Sequence, residues 1–301
     1  MNLPTLRQLK YLVAVVELKH FGKAAERCFV TQSTLSVGIQ ELESLLNCQL
    51  LERSKRKVLP TPLGIELSQR AQHLISLASE MVDIAHNDGS PLSGPLRLGV
   101  IPTIGPFLLP KVLPGIRQNF PKLELSLQED QSSQLLKQLE TGSLDAAVMA
   151  FPYPIGKMQS CMFWHEDFLV ALPKKHPLTT AISLSTDALP KEELLMLKEG
   201  HCLSDHALAA CKLSGLKTSA NFQGTSLYTL IQMVAGNLGI TFLPEMAINS
   251  ELMGSREITL LPLAEPGPHR QIGLVWRPTY FRQNDLQLLA QQLGQLLKEN
   301  E

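Results

Sequence analysis

The sequence predicts an α/β protein made of a small helical module, one long helix and a larger body of alternating strands and helices. Three observations carry that reading. Apolar residues recur at helical spacing through residues 6–46. A seven-residue apolar repeat follows Pro62. From residue 96 onward, short apolar runs alternate with helical stretches, the pattern of an α/β body with two subdomains.

Leu6, Leu9, Val13 and Val16 define a first helix within residues 5–18. Ala24 and Ala25, back to back in a short second segment, leave room for another helix to approach. Thr31 is a good N-cap for a third helix. Its apolar stripe is Leu35, Ile39, Leu42 and Leu46, and its opposite face carries Ser33, Ser36, Gln40 and Ser44. In residues 50–59, Arg53, Lys55, Arg56 and Lys57 sit between apolar pairs, which predicts a hairpin with a charged tip. Thr61-Pro62 opens a fourth helix with Pro at its first position. Within it Leu67, Ala71, Leu74, Ala78, Met81 and Ala85 form an a/d seam. Pairing with a second copy would cover that seam; packing on the chain's own module is the alternative.

Residues 86–95 are rich in Gly, Pro, Ser and Asn and read as a linker. Strands are expected at 96–101, 123–127, 144–150, 168–172, 194–197, 239–243 and 272–276. Helices are expected around 108–120, 133–139, 225–235 and 285–297. Mostly parallel sheets follow from that alternation.

The chain has 301 residues, of which 44% are hydrophobic, enough for ordinary cores and too many for a disordered chain. Its apolar runs are too short to span a bilayer, and the first one stops at Glu17, short of a signal sequence. A cytoplasmic protein with no membrane partner is expected. Five cysteines without a repeated short spacing read as free thiols. Charge is unevenly placed. Residues 1–62 hold nine of the 27 Lys/Arg and five of the 28 Asp/Glu, so this stretch is at +4 and the remainder at -5. A polyanion partner is therefore expected at the front end only.

A helix-turn-helix offers the N-terminal side chains of its second helix to base edges in the major groove. Gln32, Ser33, Thr34, Ser36 and Gln40 are the candidates for that task, with Arg53 and Arg56 of the hairpin as phosphate or minor-groove contacts. Hydroxyls at a helix start are also ordinary caps, and a basic turn is often only solvated. Residues 3–62 carry Leu-Arg-Gln-Leu-Lys-Tyr-Leu, Phe-Gly-Lys-Ala-Ala-Glu-Arg-Cys, Thr-Gln-Ser-Thr-Leu-Ser and Leu-Leu-Glu-Arg in that order. This stretch resembles the winged helix-turn-helix of LysR-type transcriptional regulators. The resemblance implies a DNA-binding domain over 1–62, a dimerising linker helix and hinge over 63–93, and a periplasmic-binding-protein-like regulatory domain over 94–301. That domain would hold one subdomain of about 94–165 plus 270–301 and another of about 166–269. Ser33 stands where many relatives have Pro, and Gln40 and Glu41 stand where relatives are more basic. A weaker phosphate grip is expected from helix three, or one that depends more on the wing and on oligomerisation.

Cys28, Cys48 and Cys161 read as inert thiols. Cys202 differs: it follows the strand at 194–197, lies beside His201, and precedes Ser204 and Asp205, which can cap a helix running through Cys211. The positive end of that helix would raise its thiolate character. An intact helix would hold Cys202 and Cys211 about 13 Å apart, well beyond disulfide reach. Any bond between them would require the segment to refold. Two unrelated cysteines fit the same pattern.

The segments Ile-Pro-Thr-Ile-Gly-Pro at 101–106, Gly-His-Cys-Leu-Ser-Asp at 200–205, Cys211, Thr-Ser-Leu at 225–227, Gly-Ile-Thr-Phe-Leu-Pro at 239–244 and Ile-Gly-Leu-Val at 272–275 are similar to the hydrogen peroxide-sensing members of the LysR family. That resemblance implies a peroxidatic Cys202, a resolving Cys211 and a reversible Cys202–Cys211 disulfide controlling oxidative-stress genes. It implies peroxide binding by Thr103, Ser132, His201 and Asp205. Ser132 aligns where relatives often carry Thr, Ser204 where some have Arg, and Arg270 is a candidate for the same electrostatic task. Implied partners are double-stranded operator DNA, a second copy through the linker helix, a tetramer, RNA polymerase and a thiol reductant. No cofactor, no resident metal and no enzymatic turnover are expected. The competing readings are a LysR-type regulator of a small organic effector, a metal sensor using Cys202, His206 and Cys211, and a thiol peroxidase.

Overall fold

The structure is a computed structural model describing residues 3–53, 58–86, 90–198, 203, 206–207, 223–224, 226–248 and 257–300. The chain divides into two compact units. One comprises residues 1–89 with 137–144, the other residues 90–136 with 145–301.

The first unit opens with α1 (Leu6–Leu18), started by a capping box between Thr5 and Gln8. Helix α2 (Phe21–Arg27) and helix α3 (Gln32–Leu46) follow, with Thr31 accepting from the Thr34 N–H as the N-cap of α3. Leu12, Val15, Ala24, Ala25, Leu35, Ile39 and Leu42 meet in one core with Leu50 and Leu51. Burying each large member stabilises by roughly 1.5–3 kcal/mol before chain entropy is set against it. Gly38 permits the tight seat of α3: a Cβ there would lie 2.8 Å from the Tyr11 ring. Strands β1 (Leu51–Arg53) and β2 (Val58–Pro60) form the expected antiparallel hairpin. Glu43 Oε1 accepts from the N–H groups of Leu50 and Leu51 at 2.8 and 3.1 Å, fixing the hairpin to the end of α3.

Helix α4 (Pro62–His86) corrects the expected seam. Ala71 is buried against Leu9 and Val13 of α1, and Leu67 packs on the core of the module. The exposed apolar line instead runs through Leu63, Leu74, Leu77 and Met81. The heptad is thus shared: its first turns serve the module itself, and its later turns face solvent.

The second unit begins with β3 (Gly94–Val100), α5 (Gly105–Asn119), β4 (Leu123–Glu129), α6 (Ser132–Thr141, partly in the first unit), β5 (Ala146–Phe151) and β6 (Gln159–Glu166). Strand β7 (Phe168–Pro173) starts a second sheet; β8 (Met196–Leu197), β9 (Gln223–Gly224), α7 (Leu227–Ala235), β10 (Thr241–Pro244) and β11 (Ile258–Pro262) follow. Strand β12 (Arg270–Trp276) returns to the first sheet, and α8 (Gln283–Glu299) closes the fold. The sheet orders are β4-β3-β5-β12-β6 and β10-β7-β11. Strands β4, β3 and β5 are parallel. The short β8–β9 pair is also parallel, but the expectation of mostly parallel sheets fails for the other strands of the two larger sheets. Strand β12 runs antiparallel to β5 and β6, and β10 and β11 both run antiparallel to β7. Strands β6, β9 and β11 were not anticipated.

Candidate functional site

Two places in the chain gather chemistry. The first is the outer face of α3. Gln32, Ser33, Thr34 and Gln40 are exposed there, and Ser36 is half-buried. The hydroxyl of Thr31 lies 2.9 Å from that of Ser33 and 2.8 Å from that of Thr34. The two hydroxyls are therefore held at the helix start in a fixed cluster, available to a partner only together with Thr31. The backbone of Arg53 lies in β1, while its side chain and all of Arg56 fall outside the described residues. Val37, which the sequence reading did not single out, is half exposed between Ser33 and Gln40.

The second place is the carboxyl edge of the five-stranded sheet. Open α/β sheets bind ligands outside the carboxyl ends of their parallel strands. Strand β3 leads to Thr103, β4 leads to Ser132 at the first turn of α6, and β5 leads to Pro152. Because β12 is antiparallel to β5, with Gln271 opposite Phe151, its first residue Arg270 reaches the same edge. Glu166, opposite Arg270 in the register, arrives there from β6.

Thr103 and Ser132 are both 2% exposed. The Ser132 hydroxyl has no hydrogen-bond partner among the described residues. An orphan buried hydroxyl costs roughly 1–3 kcal/mol, and this one leaves hydrogen-bonding capacity open at the edge. Thr103 is approached by the Arg270 guanidinium, 3.4 Å from Oγ1 and 3.3 Å from the carbonyl oxygen. That guanidinium donates through Nε to Glu166 Oε1 at 2.7 Å, while Glu166 Oε2 accepts from the Met246 N–H at 2.7 Å. It also lies over the Phe168 ring, 5.7 Å from its centre. The edge therefore presents a buried guanidinium, held in place by Glu166, beside the Thr103 hydroxyl.

His201, Cys202, Ser204, Asp205 and Cys211 lie outside the described residues. Leu203 and Ala207 are buried, and His206 Nε2 donates to the Pro152 carbonyl at 2.8 Å. Four residues after Cys202, the chain is thus tied to the end of β5, at the edge that carries Thr103. Three cysteines are described, all as free, half-buried thiols. Burial pushes the Cys28 thiol up, against the pull of Arg27 and Lys10, which lowers its thiolate fraction. Among the described residues no cluster of His, Cys, Asp and Glu is arranged to hold a metal, and no helix is long and apolar enough to cross a membrane.

Comparison with known families decides the assignment. Residues 6–65 match the family described as "Bacterial regulatory helix-turn-helix protein, lysR family", and residues 89–298 match "LysR substrate binding domain". The chain belongs to the LysR family. Among LysR relatives, it is 43% identical over 274 residues to the hydrogen peroxide-inducible genes activator of Haemophilus influenzae, covering 91% of this chain and 90% of that protein. It is 40% identical to the regulator EstR of Acinetobacter baylyi, over 95% of each chain. Among solved LysR structures, a full-length OxyR variant from Pseudomonas aeruginosa superposes with a TM-score of 0.76 at 34% identity, covering 97% of this chain and 98% of that one. A hydrogen peroxide-bound OxyR mutant from Corynebacterium glutamicum superposes with a TM-score of 0.67 at 34% identity, covering 99% and 94%. The chain is accordingly a winged helix-turn-helix DNA-binding regulator rather than a member of an enzyme family.

Proposed function

We propose that this LysR-family chain is a hydrogen peroxide-responsive transcriptional regulator switched by a reversible Cys202–Cys211 disulfide. The observation that carries the reading is the carboxyl edge of the sheet: an unpartnered, buried Ser132 hydroxyl and Thr103 beside a fixed guanidinium, with the segment after Cys202 tied to the same edge through His206. Peroxide is small and polar and needs hydrogen bonds rather than an apolar pocket. Thr103, Ser132, His201 and Asp205 would hold it. The relative whose structure contains hydrogen peroxide supports the assignment by similarity.

The chemistry balances without a cofactor. The Cys202 thiolate attacks one peroxide oxygen, the O–O bond breaks, and the departing hydroxide takes a proton to leave as water. Cys202 is then a sulfenic acid. The Cys211 thiol displaces its hydroxyl, forming the S–S bond and a second water. A thiol reductant restores both thiols.

On this reading residues 1–62 bind operator DNA through Gln32, Ser33, Thr34, Ser36, Gln40, Arg53 and Arg56. Residues 63–93 pair with a second copy, and 94–301 sense the signal. The exposed line Leu63, Leu74, Leu77 and Met81 supports the pairing. A tetramer, contact with RNA polymerase and a cytoplasmic location complete the proposal. Footprinting of full-length protein on a duplex selected from a random pool tests it. One equivalent of peroxide should change the protected length for wild type and leave that of Cys202→Ser unaltered. A change shared by both would sink the switch. A footprint altered by an organic ligand and not by peroxide would favour the small-effector reading.

A further inference from the structure

The face of α3 that turns away from the core carries Ser33, Val37, Gln40 and Ser44 in one line. Three of these are polar. Val37 is not, and it is 50% exposed. It has no route inward. Leu35, Ile39 and Leu42 are all 0% exposed on the opposite side. Gly38 sits against the Tyr11 ring with no room for even a methyl, so the rotation of the helix is fixed. Valine is also an unfavourable choice for a solvated helix position, since its branched Cβ restricts χ1 and gains nothing from water.

The charge of the helix narrows what it can read. Gln32–Leu46 contains no Lys or Arg, so the bidentate arginine–guanine contact is not available from α3. Of its two glutamates, Glu43 is spent on the backbone of Leu50 and Leu51, and Glu41 lies 3.4 Å from the amide of Gln8. What α3 offers a major groove is hydroxyls, glutamine amides and one apolar side chain at the centre of the line. Thymine is the base that presents an apolar group, its C5-methyl, on the major-groove edge.

We infer that Val37 is a sequence-reading residue whose γ-methyl groups pack on the C5-methyl of a thymine, flanked by Ser33 and Gln40. The inference rests on α3 being the DNA-reading helix. Covering one methyl in this way is worth about a fourfold change in affinity for each half-site.

The test uses the full-length chain and a duplex that it selects from a randomised pool. Each thymine of that duplex is replaced singly by deoxyuridine, which deletes the C5-methyl alone. Affinities are read by fluorescence anisotropy at one fixed salt concentration for wild type, Val37→Ser and Val37→Thr. At one thymine in each half-site, deoxyuridine should weaken wild type about fourfold and leave Val37→Ser unchanged. Val37→Thr, which keeps one γ-methyl, should fall between. The inference is overturned if every thymine gives wild type and Val37→Ser the same response. Failure of the wild-type chain to select any duplex would overturn the DNA-reading assignment itself, and this inference with it.

Discussion

Arg270 and Glu166 form an ion pair from which water is wholly excluded: Nη2 lies 2.6 Å from Oε1, and neither side chain has any exposed surface. The two residues are 104 positions apart in sequence and opposite each other in the β12–β6 register. Glu166 also accepts from Met246, which follows β10, and Arg270 also reaches Thr103, which follows β3. One buried pair thus joins both sheets to the residue proposed to bind peroxide.

Breaking this pair from one side leaves a buried charge without its partner. Glu166→Ala should therefore lower stability by about 3–5 kcal/mol, read as a shift in the urea midpoint of the full-length protein. Glu166→Ala combined with Arg270→Met should recover much of the loss. If the single variant matches wild type, the pair does not hold the edge together.

Ser132 gives a prediction of the opposite sign. Its hydroxyl is buried and unpartnered among the described residues, so Ser132→Ala should leave thermal stability unchanged or raise it slightly. The same substitution should slow oxidation of Cys202 by peroxide severalfold. A large loss of stability with an unchanged oxidation rate would make Ser132 a structural residue only.

The exposed line on α4 predicts where assembly is vulnerable. Met81 is 71% exposed and Leu74 51% exposed, so Leu74→Glu combined with Met81→Glu should leave the folding of one chain intact. Sedimentation velocity should show the variant shifted to monomer. An unaltered dimer would place the interface elsewhere.

Alkaline pH should weaken the fold through Tyr280. Burial pushes its hydroxyl above the ordinary tyrosine value, Asp145 adds to the rise, and Arg282, Arg277 and Arg97 oppose it. The native state keeps the proton to higher pH than the unfolded chain does. The stabilisation is thus fully present below about pH 10 and is lost as pH rises above it. Urea midpoints measured from pH 9 to 11.5 should fall in wild type and fall less steeply in Tyr280→Phe. Equal slopes would remove Tyr280 from the account.

The small module was legible because its signals are local. Thr31 as a cap, the stripe Leu35, Ile39, Leu42, and Pro62 at a helix start all act within one or two turns. The heptad of α4 was half legible. Its repeat is real, but which turns meet α1 is set by residues some 60 positions earlier, Leu9 and Val13. Strand β6 escaped notice because it is largely solvated on one face and carries Gln159, Ser160, His165 and Glu166 among its apolar residues. The antiparallel return of β12 follows from a long excursion through the second sheet, which no local pattern records. Helix α5 was placed too late because Gly105 and Pro106 look like loop residues, although Pro suits a first turn. Thr103 and Ser132 were singled out through family resemblance, while Glu166 was not singled out, since its contacts with Arg270 and Met246 are made across the fold.

The central claim is tested most directly by mass spectrometry of thiol-trapped protein after one equivalent of hydrogen peroxide. A Cys202–Cys211 disulfide should form rapidly in wild type. Sulfenic acid should persist at Cys202 in Cys211→Ser, and Cys28, Cys48 and Cys161 should stay reduced throughout. Cys202 and Cys211 remaining reduced in protein that still binds its selected duplex would contradict the account.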